Sequence, residues 1–107
     1  MKLSILERIV LQGLLPEKGD YVTYGLIKQI RTELSFTEKE IKEFKIQEVR
    51  DAKGNTQITW DDKTAKLKEF TFGDKITSII VKALEKIEKE GEINNNNVSL
   101  YEKFMIK

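Results

Sequence analysis

The sequence predicts one α+β domain in which three helices precede an antiparallel strand region and two helices follow it. Three observations carry this expectation. Apolar residues recur at helical spacing through the N-terminal third and again from Ile76 to Ile87. Between them, from Phe44 to Phe72, the pattern changes to the alternation of a half-buried strand. Finally, the spacing Ser/Thr-x-x-Glu, which lets a helix start satisfy two of its own N–H groups, occurs at Ser4–Glu7, Thr37–Glu40 and Ser99–Glu102.

The first helix spans about residues 4–15, with Ser4 as N-cap and Glu7 reaching back to it. Ile5, Leu6, Ile9, Val10, Leu11 and Leu14 cover most of its circumference, leaving Glu7, Arg8 and Gln12 on a narrow polar edge. A helix so widely apolar belongs at the centre of a fold. Pro16 and Gly19 make the turn that ends it. Tyr21-Val22-Thr23 reads as a very short strand, and Thr23 as the cap of a second helix over about 24–34, whose stripe is Leu26, Ile27, Ile30 and Leu34. Thr37 and Glu40 open a third, short helix over about 38–44, with Phe36 placed to staple onto Ile41.

Strands are expected at about 44–50, 56–61 and 67–72. The first two are joined through Asp51-Ala52-Lys53-Gly54-Asn55, and a further polar turn at Asp62–Ala65 leads to the third, making a three-stranded meander. Ile58 and Trp60 share one face, which makes the single Trp a core residue, and Phe70 and Phe72 share another. Gly73-Asp74 opens the longest helix, about 75–90, in which Ile76, Ile79, Ile80, Ala83, Leu84 and Ile87 form an amphipathic stripe ending at Gly91. Asn94–Asn97 reads as a polar, mobile loop. Ser99 and Glu102 then start a last helix over about 100–105, with Leu100, Tyr101 and Phe104 available to dock.

At 107 residues the chain fits one domain. Nineteen Lys and Arg against eighteen Asp and Glu leave a net charge of +1, too little for a long-range field that would steer nucleic acid or an anionic membrane. Only Arg8, Arg31 and Arg50 carry guanidinium groups, so the basic residues favour hydration over planar recognition of bases and phosphates. With no Cys and no His, disulfides, thiolate nucleophiles, imidazole bases and ordinary zinc sites are excluded. Glu7 and Arg8 interrupt the apolar start, Leu14-Leu15-Pro16 is no small-residue cleavage site, and no run approaches the ~20 apolar residues of a membrane span. The expected location is therefore cytoplasmic, away from any membrane, where the sequon Asn97-Val98-Ser99 has no use.

Catalytic chemistry finds no foothold. Asp61-Asp62, with Glu69 and Asp74 downstream, is the one acidic grouping that could approach a hard cation, but adjacent aspartates in a turn point apart and usually bind their own backbone. Asp51-x-Lys53-Gly54-Asn55 puts Lys at a calcium-ligand position, and no phosphate-binding glycine motif is present. Ser4 and Ser99 are explained as caps. No catalytic residue, metal ligand or cofactor is therefore expected, and a small metal-dependent enzyme at Asp61-Asp62 is the least favoured reading.

The order helix, short strand, helix, helix, hairpin over Ser4–Asp61 resembles a winged helix, an architecture that implies nucleic-acid binding through the third helix and the hairpin. Here the third helix reads Glu38-Lys39-Glu40-Ile41-Lys42-Glu43-Phe44, a poor match to a phosphate-lined groove. Lys45, Arg50, Lys53, Lys63, Lys66 and Lys68 would be the contacts on that reading, although lysines commonly protect a sheet edge. Aromatic residues dominate interface hot spots, which makes Tyr101 and Phe104 of the last helix, with Tyr21 and Tyr24, the candidates for a protein interface. The surplus of apolar residues on the first helix leaves monomer and homodimer both open.

Ile5-Leu6-Glu7-Arg8-Ile9-Val10-Leu11-Gln12-Gly13-Leu14-Leu15-Pro16-Glu17-Lys18-Gly19 and Ser99-Leu100-Tyr101-Glu102-Lys103-Phe104 resemble segments of small uncharacterised phage and prophage proteins. The resemblance implies a phage accessory protein and brings no catalytic motif. The leading expectation is a non-enzymatic module that binds an unidentified protein partner. Nucleic-acid binding is the alternative.

Overall fold

The computed structural model describes residues 1–106. The chain is α+β, in the order β1 (Lys2–Leu3), α1 (Ile5–Leu14), α2 (Tyr21–Leu34), α3 (Glu38–Glu43), β2 (Gln47–Arg50), β3 (Thr56–Thr59), β4 (Lys68–Glu69), α4 (Asp74–Lys89) and α5 (Val98–Met105). It divides into two compact units. One is Met1–Ser35 together with the segment from Lys68 onward, and the other is Phe36–Leu67.

In the first unit α1 packs against α2, α4 and α5, the central position its wide apolar surface demands. Leu11 on α1, Ile27 on α2, Ile80 and Leu84 on α4 and Leu100 on α5 are all fully buried in one core. The polar edge of α1 is buried too: Glu7 keeps 4% of its surface exposed and Arg8 only 1%. Arg8 lies over the last turn of α2, donating from Nε to Leu34 O (3.2 Å) and from Nη2 to Ser35 O (2.9 Å), while Gln12 Nε2 also donates to Leu34 O (3.2 Å). The terminal carbonyls of a helix have no partner within it, and a cation there also meets the negative end of the dipole. The arrangement is reciprocal. Arg31 of α2 donates from Nη2 to Leu15 O and Pro16 O at the end of α1 (3.1 and 3.3 Å).

Several expectations change in this unit. Tyr21–Thr23 is no strand but the first turn of α2, because Asp20 in place of Thr23 is the N-cap, accepting from Thr23 N at 2.8 Å. The third expected strand shrinks to Lys68–Glu69 and pairs with β1, not with the hairpin, so there is no meander (Lys2↔Glu69, Leu3↔Lys68). Burial of Leu3 and the bond from Phe70 N to Met1 O (2.7 Å) extend this pairing. Phe70 and Phe72 do stack, with centroids 5.9 Å apart. At Asn94–Asn97 the side chains close the turn themselves: Asn97 Oδ1 accepts from Asn94 N (2.8 Å), Asn94 Oδ1 from Asn96 N (2.8 Å), and Asn97 Nδ2 donates to Glu92 O (3.1 Å). Helix α5 therefore starts at Val98 with Asn97 at the cap position and no side-chain cap bond, so the capping box expected at Ser99 does not form.

The second unit is built on local bonds. Thr37 Oγ1 accepts from Glu40 N and Glu40 Oε1 from Thr37 N (3.1 and 3.0 Å), the expected capping box of α3. Strands β2 and β3 pair from Gln47↔Thr59 to Arg50↔Thr56 around a turn in which Asp51 Oδ1 accepts from Lys53 N and Asn55 N, and Gly54 takes φ 83°. Phe44 is its buried residue. The hairpin exposes both faces, so Ile58 is 39% exposed, and Trp60 is half-buried beyond the end of β3 with Nε1 donating to Asp62 Oδ1 (2.9 Å). The expected Ile58–Trp60 core face is absent because a two-stranded hairpin needs a further layer to bury a face.

Replacing Arg8 with Ala leaves buried α2 carbonyls without their charged donors; a loss of about 2–4 kcal/mol is expected from urea denaturation. Lys45 follows α3 with φ 53°, a left-handed conformation that costs an L-residue but not glycine. Lys45→Gly should therefore stabilise by up to about 1 kcal/mol and slow amide exchange around Phe44. Its ion pair to Asp61 (3.9 Å) is too exposed to offset this.

Candidate functional site

The densest polar cluster gathers on Glu7. Its Oε1 accepts from Ser4 N (2.9 Å) and lies 2.7 Å from Lys103 Nζ, and its Oε2 accepts from Ser99 Oγ (3.1 Å). Lys103 Nζ also donates to Lys2 O (2.8 Å). Ser99 and Lys103 share a face of α5 because they stand four residues apart. A Ser–Lys pair beside a carboxylate invites comparison with an activated nucleophile. The bonding describes something else: Lys103 is an ammonium held on a carboxylate, and Ser99 gives its proton to the same carboxylate. Burial pushes the Glu7 carboxyl up, but bonds from Lys103, from the Ser4 N–H and from Ser99, with the Lys103 charge, outweigh it and hold the carboxyl below its ordinary value of 4.5. This cluster clamps α5 to the start of α1. The i, i+4 spacing of Ser99 and Lys103 is visible in the sequence, but their convergence on Glu7 is not.

Of the expected interface residues, the structure separates two pairs. Phe104 is 9% exposed, its ring 5.8 Å from that of Phe72, and Tyr101 packs against the same core, so α5 spends its aromatics on docking. Tyr21 is 95% exposed and Tyr24 43%, with Val22 (62%) between them. The stripe formed by Ile27, Ile30 and Leu34 faces the core and leaves the first turn of α2 in solvent. Lys28 Nζ lies 6.0 Å from the Tyr24 ring centre.

The basic candidates are distributed over both units. In the second unit Lys45 pairs with Asp61 and Lys66 with Glu43 (3.5 Å). Arg50 and Lys53 lie at the tip of the β2–β3 hairpin and Lys63 in the turn after Trp60, while Lys68 belongs to the first unit with Nζ 5.6 Å from the Phe70 ring centre. Asp61 and Asp62 turn apart, Asp61 Oδ1 to Lys63 N (2.9 Å) and Asp62 to Trp60. Among the described residues no three His, Cys, Asp or Glu side chains gather as a metal would require.

A cleft of about 510 Å³ opens in the first unit between the end of α1 and one side of α4. Leu14, Pro16, Ile79, Ala83 and Ile87 provide its apolar lining, and Lys82, Lys86, Glu90 and Glu92 its charged rim. A Cβ on Gly13, which also lines it, would meet nothing within 4 Å. Sequence periodicity assigns Ile79 and Ala83 to the core stripe, yet both are only half-buried.

No protein-family model, curated protein or solved structure matches this chain. Among the described residues no helix is long and apolar enough to cross a membrane.

Because Glu7 ionises more readily folded than unfolded, its stabilisation is complete above its ordinary pKa of 4.5 and is lost as pH falls through the lowered folded value. Glu7→Gln should cost about 1–3 kcal/mol at neutral pH and reduce the acid dependence of stability. Urea midpoints measured between neutral pH and pH 3 check both; an unchanged acid limb would contradict the assignment.

Proposed function

We propose that this chain is a non-enzymatic protein-binding accessory module, of the phage or prophage kind that the two chain ends resemble, working in the cytoplasm. The observation that carries the reading is the exposed first turn of α2, where Tyr21, Val22 and Tyr24 stand in solvent. Tyrosine offers a large amphipathic contact at small entropic cost, and tyrosines are enriched among residues that dominate binding energy. Here they sit on a 14-residue helix whose start is fixed by Asp20 and whose end is fixed by Arg8, so the surface is preorganised. The charged groups of the Glu7 and Arg8 sites support the same reading from the other side: buried Glu7 and Arg8, with the exposed Lys103, are committed to holding helices together.

The nucleic-acid alternative draws less support. Between Phe36 and Leu67 there are seven basic and seven acidic side chains, and two of the candidate lysines are ion-paired there.

The test is affinity capture from a bacterial host lysate with the wild type and a Tyr21→Ala/Tyr24→Ala variant. A partner retained by the first and lost at least tenfold from the second is expected, with thermal stability unchanged within about 0.5 kcal/mol because both side chains are exposed. Equal retention by the two proteins would refute the role of this surface.

A further inference from the structure

We propose that β3 is a pairing edge, on which β3 of a second copy lies antiparallel about a two-fold axis through Ile58. The hairpin has two edges, and only one of them is protected. On β2, Glu48 and Arg50 bring charge to the edge, and the left-handed Lys45 (φ 53°) turns the chain just before the strand. On β3, Thr56-Gln57-Ile58-Thr59 and the following Trp60 carry no charge, no Pro and no Gly, and favour extended structure. All four strand residues are exposed, and no third strand pairs with β3 among the described residues. At the turn Asp51 N donates to Asn55 O (2.9 Å), which makes these two a hydrogen-bonded pair. Bonded and non-bonded pairs alternate along an antiparallel ladder, so Val49–Gln57 and Gln47–Thr59 are bonded too. The N–H and C=O groups of Thr56 and Ile58 therefore point away from β2, into solvent.

A free backbone edge is completed by another extended chain, and the register here fits an identical one. With Ile58 on the axis, Ile58 pairs with itself, Thr56 with Trp60, and Gln57 with Thr59 of the other copy. Every outward group of the uncharged run then finds a partner. Asn55 meets Asp61 at either end, so from Asn55 to Asp61 no like charges are set opposite each other. Thr56, Ile58 and Trp60 are alternate residues and share one face, which continues across the axis as a row of β-branched and aromatic side chains. A hairpin of two strands is marginal by itself, and the pairing doubles it to four. The contact is isologous and closes at two copies, because each copy offers one unprotected edge.

Sedimentation of the purified protein from low micromolar to about 0.5 mM should show mass rising from the 12.5 kDa chain toward twice that value. Ile58→Lys sets two ammonium groups together on the axis and should weaken the dimer several-fold. Glu48→Lys, on the protected edge, should leave it unchanged. The chain has no Cys, so single cysteines report which edge pairs. Under mild oxidation Ile58→Cys should become a covalent dimer far faster than Glu48→Cys, because only the first stands within disulfide reach of its own copy. A protein monomeric throughout, a dimer indifferent to Ile58→Lys, or equal cross-linking from the two edges would each overturn the proposal. If Ile58→Lys proves misfolded by circular dichroism, the two cysteine variants decide alone. The experiment uses no foreign partner and alters only the second unit, so its failure leaves the role of Tyr21 and Tyr24 untouched, and the converse also holds.

Discussion

The first unit depends on an exchange between two helix ends. Arg8 of α1 satisfies carbonyls at the end of α2, and Arg31 of α2 satisfies carbonyls at the end of α1. Arg8 takes the place of water at the buried Leu34 carbonyl, so α1 cannot slide or rotate against α2 without losing that bond, and Arg31 adds directional bonds at the more exposed end. The apolar contacts between α1 and α2 allow many small rearrangements of similar energy. The directional bonds select one. Burying an arginine is costly unless its donors are used. Here Arg8 also has the Phe70 ring 5.4 Å from its guanidinium carbon, which draws the segment after β4 into the same locus.

Glu7 plays a related part at the other end of α1. One carboxylate serves the cap of its own helix and anchors Ser99 and Lys103, more than ninety residues along the chain. Lys103 in turn reaches the carbonyl of Lys2 in β1, so the first strand, first helix and last helix meet at a single charge. Helix α5 has no side-chain cap of its own because Asn97 at the cap position spends its side-chain amide on Asn94 N and Glu92 O, while Ser99 is used in the tertiary contact. The same clamp holds a short helix whose Tyr101 and Phe104 pack against the core.

With its buried polar groups occupied in this way, the first unit leaves exposed the apolar surface that the core did not take up. The apolar stripe of α2 begins only after its first turn, leaving Tyr21, Val22 and Tyr24 outside. The stripe of α4 is wider than the surface its neighbours cover, leaving Ile79 and Ala83 at the floor of a cleft. These two surfaces are physically different: one is an exposed aromatic turn, and the other is a concave strip with a charged rim. The second unit, by contrast, stabilises itself with an α3 cap, an Asp51 turn and a short antiparallel register, and leaves Ile41, Val49, Ile58 and Leu67 exposed.

What the sequence determined by itself was whatever depends on neighbours within about four positions. The α+β class, the capping boxes at Ser4 and Thr37, the hairpin about Gly54 and the long stripe from Ile76 to Ile87 are of this kind, because cap spacing and hydrophobic period are local properties. The N-cap of α2 fell at Asp20 instead of Thr23, a choice between two local acceptors that the burial of Ile27 and Ile30 helps to settle. Tertiary structure alone decided that the polar edge of α1 faces inward, since a charged residue on an apolar helix reads as exposed until distant donors and acceptors arrive to meet it. It alone decided that Lys68–Glu69 pairs with Lys2–Leu3, for two-residue strands carry no period to read. Trp60 follows the same rule: its alternation with Ile58 reads as a core face, but a two-stranded hairpin has no layer of its own to bury it.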